Sequence, residues 1–163
     1  MAVELSLDPY ATKIGTLPPN ATAEQAQRWI ERQQNRHSNG DGFAFAVIDV
    51  DQERCAGFVG LWIRELIAGR AKIGYGIASS FRGRRLASDA VSAVTEFGWT
   101  IPELHRIELY VEPWNTASIK TAEHAGYLRE ALLRSHQEIE GERRDMLLYS
   151  NVRNQAENAG SAC

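Results

Sequence analysis

Cysteine is nearly absent from this chain of 163 residues: Cys55 and Cys163 are the only two, far apart and without metal-binding spacing. A metal site is therefore not expected, and a reducing, cytoplasmic setting is the default. Long apolar runs are also missing. The start "MAVELSLDPY" has no apolar core of signal-peptide length, and no stretch is long enough to span a bilayer. Nor is charge of one sign in surplus, since 18 Lys and Arg stand against 21 Asp and Glu for a formal net charge of -3. Such a chain has no general attraction to nucleic acid or to anionic membranes, so any anion must be held locally. Internal repeats are lacking too. What is plentiful is apolar surface: a hydrophobic content of 44% suffices for one compact domain, in a chain too short for two. Residues 1–152 read as that domain, and 153–163 as a flexible tail with the polar run "NQAENAGSAC".

The opening segment to Asn20 reads as loop, with Pro9, Gly15, Pro18 and Pro19. Thr22 can then cap a helix running to about Gln34, with Trp29 and Ile30 inward, which "HSNGDG" stops. "FAFAVIDV" and "AGFVGLWI", separated by the polar "DQER", read as an antiparallel hairpin, and "AKIGYGIA" (71–78) as a further strand. Leu86, Ala87, Ala90, Val91, Val94 and Phe97 recur at helical spacing, so a helix starts near Gly83 to Arg85 and runs to about Trp99. "HRIELYVE" (105–112) alternates as a strand, Asn115 begins a short helix to about Ala125 that Gly126 ends, and a last hairpin turns near Gly141. The strand-helix-strand unit favours parallel strands with a right-handed crossover, which sets the helix N-terminus at the C-terminal ends of the strands, where open α/β sheets bind ligands.

That helix opens with "FRGRRLASDA", three arginines around a glycine. A helix N-terminus already carries about half a positive charge and several unpaired N–H groups, so Arg84 and Arg85 are an electrostatic misfit there unless an anion sits among them.

"IGYGIASSFRGRRLASDAV" followed by "HRIELYVEPWNTASIKTAEHAGY" resembles the GCN5-related N-acetyltransferase (GNAT) superfamily, in particular its RimJ/RimL-like ribosomal-protein N-acetyltransferase branch. The likeness covers roughly residues 22 to 150 and is strongest from 71 to 129. "FRGRRLA" is similar to the acetyl-CoA pyrophosphate loop, and "WNTASIKTAEHAGY" to the branch's Asn-x-x-Ser helix with its terminal Gly-aromatic pair. The resemblance implies a single-domain α/β (α+β) fold: a mixed, mostly antiparallel sheet with a splayed parallel central strand pair and flanking helices. It further implies acetyl-CoA as cofactor, with Arg82, Gly83, Arg84, Arg85, Leu86 and Ala87 around the pyrophosphate, mostly through backbone N–H groups. Gly76, Ile77 and Ala78 would take the pantetheine arm as an added strand, with Asn115 and Ser118 facing it near the sulfur. Arg85 departs from the pattern, which commonly has glycine there; it could crowd the turn or add a phosphate contact.

The implied chemistry is direct attack of a neutral amine on the thioester. An amide N–H at Gly76 to Ala78 would stabilise the oxyanion, and Ser118 or a water would protonate the leaving thiolate. The acceptor is an amine, on a protein N-terminus or a small molecule such as a polyamine or an aminoglycoside. Many relatives carry a glutamate on the strand before the loop where this chain has Lys72. Glu65, Glu108 and Glu112 are substitutes as base, with His105 and His136 behind them, and Trp62, Tyr75, Tyr110 and Trp114 are candidates to shape the acceptor pocket. Asn115 also reads as a plain helix cap. Two readings of other classes remain: a non-catalytic acyl-CoA-binding sensor, and a nucleotide-binding module that uses the arginine turn for another phosphate. Relatives usually open with a strand before the first helix. Here either a degenerate strand occupies residues 2–7, or the chain begins downstream of it, which would leave an exposed sheet edge and invite a homodimer.

Overall fold

A computed structural model describes residues 1–153 of the chain, so all but the first residue of the tail expected over 153–163 lies outside the described residues. The opening segment is not a loop, and residues 2–7 do not form a strand. Two short helices, α1 (Ala2–Leu5) and α2 (Pro9–Ile14), occupy it. Ala2 and Leu5 lie one helical turn apart, and both bury in a small cluster with Leu17, Ala21, Ala26 and Trp29, against which Phe58 packs. In an extended chain those two would point to opposite faces, and only one could be buried. α2 starts because the Asp8 carboxylate accepts from the N–H groups of Tyr10 (2.8 Å) and Ala11 (3.1 Å), with Pro9 in the first helical position. α3 (Ala23–Gln34) follows with the expected Thr22 cap, completed as a capping box by Gln25.

Six strands form one sheet: β1 (Gly42–Asp49), β2 (Arg54–Trp62), β3 (Arg70–Ile77), β4 (Arg106–Val111), β5 (Leu128–Ile139) and β6 (Glu142–Val152), in the order β1-β2-β3-β4-β6-β5. Every neighbouring pair is antiparallel except β3 with β4, which are joined through α4 (Leu86–Gly98). α5 (Thr116–His124) leads out of β4. Val59, Leu61, Ile73, Ile107, Leu109 and Tyr149 make one face of the sheet apolar, and Val91 and Val94 of α4 close the core over it. The last hairpin turns at Glu140 and Gly141, both at positive φ (53° and 78°), as a two-residue turn requires.

The parallel pairing is brief. It runs from Arg70 opposite Arg106 to Lys72 opposite Glu108, and beyond that β3 and β4 diverge. The gap opens at the strands' C-terminal ends, beside the first turn of α4. Residue 153, the first of the expected tail, is among the described residues. Arg153 is tied down, its guanidinium donating to the carbonyls of Leu104 (2.8 Å), Trp99 (2.9 Å) and Ile101 (2.6 Å).

Candidate active site

A cleft of about 600 Å³ opens at the splay, with Gly76, Ile77, Arg82, Gly83, Arg84, Arg85, Leu86, Ala87, Asn115 and Ser118 in its wall. Ala78, expected with them, is fully buried and spends its N–H on the Ala56 carbonyl at 2.9 Å. That bond also sets which main-chain groups are free. Ladder bonds alternate along an antiparallel pair, so Gly76, opposite Phe58, turns its polar groups to β2 as Ala78 does. Tyr75 and Ile77 turn theirs to the splay, and the Ile77 carbonyl accepts from Arg82 Nε at 3.1 Å. The free strand edge is therefore that of Tyr75 and Ile77, so within the stretch Gly76 to Ala78 it is Ile77 whose main-chain groups face the splay.

The arginine turn is built on two left-handed residues, Gly83 (φ 78°) and Arg85 (φ 61°). Positive φ is what suits glycine at the second position, and Arg85 adopts it without that freedom. α4 then starts without a side-chain cap, and the N–H groups of Leu86, Ala87 and Ser88 have no protein acceptor among the described residues. A row of unpaired amides at the positive end of a helix is a phosphate cradle, so the residues present fit the diphosphate of a coenzyme. Two of the three arginines are neutralised from within. Arg82 pairs with Asp8, and Arg84 with Asp49, whose side chain is 2% exposed, and with Asp51 at 3.2 Å. Arg85 is exposed and has no carboxylate partner among the described residues.

Across the cleft, Asn115 is the cap of α5, its Oδ1 accepting from the Ser118 N–H at 3.1 Å. The Ser118 hydroxyl has no protein partner among the described residues and borders the cleft. Lys120, Thr121 and His124, one helical face beyond, were not anticipated.

A second cavity, about 420 Å³, shares Tyr10 and Ile14 of α2 with the wall of the first. Trp62 and Tyr110 belong to it, whereas Tyr75 and Trp114 belong to the cleft, Trp114 edge-on to Tyr10 at 4.8 Å. Lys72 and Arg70 both pair with Glu65, at 2.7 and 2.8 Å, and the hydrogen bond from Lys72 holds the Glu65 carboxyl below its ordinary range, the wrong direction for a base. Glu108 is also committed, accepting from Arg106 Nε at 2.5 Å and from the Tyr110 hydroxyl at 2.6 Å. Burial, reinforced by that bond, pushes the Tyr110 phenol up. Glu112 follows on the same face just past β4, is 5% exposed, and pairs with no Lys, Arg or His among the described residues. The Tyr10 hydroxyl faces it, its titration pushed up by burial and by the Glu112 charge. His105 lies at the far end of β4, exposed, and His136 stacks on Tyr110 at 4.8 Å. Tyr10 and Ile14 escaped the sequence reading, although Asp8-Pro9 is a helix-start signal that could have found them.

The family model described as an acetyltransferase (GNAT) domain matches residues 1–128. The chain is 32% identical over 143 residues to a Bacillus licheniformis protein described as the uncharacterised N-acetyltransferase p20, a match covering 88% of this chain and 80% of that one. Among solved structures it is similar to the microcin C7 self-immunity acetyltransferase MccE, seen in complex with acetyl-CoA and AMP (22% identity, TM-score 0.73, 93% of this chain and 87% of that chain). It is also similar to the ribosomal-protein-S5-alanine acetyltransferase of Vibrio fischeri (21% identity, TM-score 0.71, 94% and 88%). No helix among the described residues is long and apolar enough to cross a membrane. At these identities the likeness to solved structures is one of fold.

Proposed function

Because the chain belongs to the GNAT acetyltransferase domain family and uses acetyl-CoA as its acetyl donor, we propose that it passes the acetyl group directly to a primary amine, on a protein N-terminus or a small molecule, with donor and acceptor bound together. The observation that carries this reading is that the two cavities share Tyr10 and Ile14 in their walls, with no cysteine among the described residues that line either. When bound, acetyl-CoA supplies a thioester open to attack by a neutral amine. The protein's part is to bind, orient and move protons. The Leu86, Ala87 and Ser88 amides hold the diphosphate, and the strand edge at Tyr75 and Ile77 takes the arm and donates an N–H to the carbonyl oxygen. Glu112 takes the proton from the acceptor amine, since Glu65 and Glu108 are held by cations. Ser118 Oγ donates to the leaving sulfur, and Tyr10 keeps water from the junction. The Asn115-x-x-Ser118 helix supports a place in the RimJ/RimL-like branch. Scarce cysteine supports a cytoplasmic setting, and the exposed Phe45 and Ile48 on the outer strand β1 would suit a second copy.

Intact-mass measurement after incubation with acetyl-CoA alone tests the direct route. The enzyme's mass should stay unchanged, and added amine should release thiol and N-acetyl product in equal amounts. An acetylated enzyme that hands its acetyl group to the amine would overturn it.

A further inference from the structure

We infer that the acceptor is a primary amine carrying a carboxylate near its amino group, and not a polyamine; this deepens the amine-transfer reading and rests on it. A polycation entering the 420 Å³ cavity needs anions or bare aromatic faces to receive its further ammonium groups. Both are taken. Glu65 lies between Lys72 and Arg70, at 2.7 and 2.8 Å. Asp41 accepts from Arg64 at 2.8 Å, and Glu108 from Arg106 at 2.5 Å. The Trp62 ring carries the Arg36 guanidinium 5.3 Å from its centroid, and Tyr110 carries both the Lys72 ammonium at 5.3 Å and the stacked His136 ring.

Cationic donors, by contrast, are to spare. Arg64 and Lys72 line the cavity with side chains 70% and 44% exposed, each with N–H groups beyond those its own carboxylate uses. Burial holds the Arg36 guanidinium below its usual range, against the pull of Asp41 and with smaller contributions from the charges of Arg64 and Arg32. Among the described residues one buried carboxylate, Glu112, is left without a cation; it faces the Tyr10 hydroxyl and is in the wall of neither cavity, and it matches one reacting amino group and no more. An acceptor that brings its own carboxylate would set it between Arg64 and Lys72, with its amine toward Glu112.

The test compares kcat/KM, by thiol release from acetyl-CoA, for amide-capped Ala-Asp-Ala and Ala-Asn-Ala peptides, free alanine and spermidine. Partly exposed charge pairs contribute tenths of a kcal/mol to about one each, so two cations should favour the aspartyl over the asparaginyl peptide by about two- to thirty-fold. The ratio should shrink with added salt, and Arg64→Gln should narrow it further. Free alanine outpacing the aspartyl peptide would keep the carboxylate and assign it to an amino acid instead of a peptide side chain. Equal rates for the two peptides, or spermidine as the best acceptor, would overturn the inference and leave the acetyltransferase reading standing. No N-acetyl product from any of the four would count against both.

Discussion

Replacing Arg85 separates two opposed consequences of its position. Its φ of 61° lies in the left-handed region, which costs a non-glycine residue about 1–2 kcal/mol. It is also the arginine of the turn that no carboxylate neutralises among the described residues, and it stands beside the unpaired amides of α4. Arg85→Gly removes the strain and adds roughly 0.5–1 kcal/mol of backbone entropy to the unfolded chain, so without coenzyme it should match or exceed the parent by up to about 1 kcal/mol. Arg85→Glu keeps the strain but sets a carboxylate at the positive end of the helix, worth about 0.3–1 kcal/mol, and should also fold about as well as the parent. With coenzyme the order reverses. A charge-assisted bond to phosphate is worth about 1.5–3 kcal/mol, so both variants should lose about ten- to 150-fold in acetyl-CoA affinity, and Arg85→Glu more through repulsion. Paired thermal melts with and without acetyl-CoA read this directly, since a ligand that binds the folded state stabilises it by RT ln(1 + L/Kd), with L the free ligand concentration. Equal acetyl-CoA-induced shifts in all three proteins would refute the reasoning and leave the phosphates to the backbone amides alone.

Glu112→Gln should lower kcat by about 10²- to 10⁴-fold with acetyl-CoA affinity unchanged, as steady-state kinetics and coenzyme titration would show; a parent-like kcat would remove it as base. Asn115→Ala should cost about 0.5–2 kcal/mol in urea unfolding through loss of the α5 cap, whereas Ser118→Ala should leave the unfolding midpoint in place and lower turnover. Glu130 is held down at about 2 by hydrogen bonds from Arg106 and Ser150. Its folded-state value lies below the unfolded one, so it contributes stability above pH 4.5 that is lost as pH falls toward 2. Urea midpoints of Glu130→Gln and the parent should therefore differ at pH 7 by a small, solvent-screened amount and converge near pH 2.

Much of this protein is written in short-range chemistry. Thr22 with Gln25, Asn115 with Ser118, Gly126 and Gly141 mark helix and hairpin ends through bonds and dihedrals that span a few residues, and the alternation of Ile107, Leu109 and Val111 marks a buried strand face. The crossover rule then sets the arginine turn at the strands' C-terminal ends. At α2 the local signal, Asp8 followed by Pro9, marks only the start: the helix buries no residue of its own and is held by partners distant in sequence, Asp8 by Arg82, and Lys13 by Glu140 at 2.8 Å. Tyr10, the hinge between the two cavities, rides on that helix.

The sequence by itself determined the principal helices and strands from Thr22 onward, the cationic turn and the set of carboxylates available as base. Tertiary structure alone decided which charges remain free. Arg84 goes to Asp49 because β1 and β2 bring their hairpin to the turn, Glu65 and Glu108 go to Lys72 and Arg106, and Ala78 loses its N–H to β2 while Tyr75 and Ile77 keep theirs toward the splay. A charge or an amide acts on a ligand with the bonding capacity that closer partners leave over, and that competition is settled by strand order and register, which no local window of the chain contains.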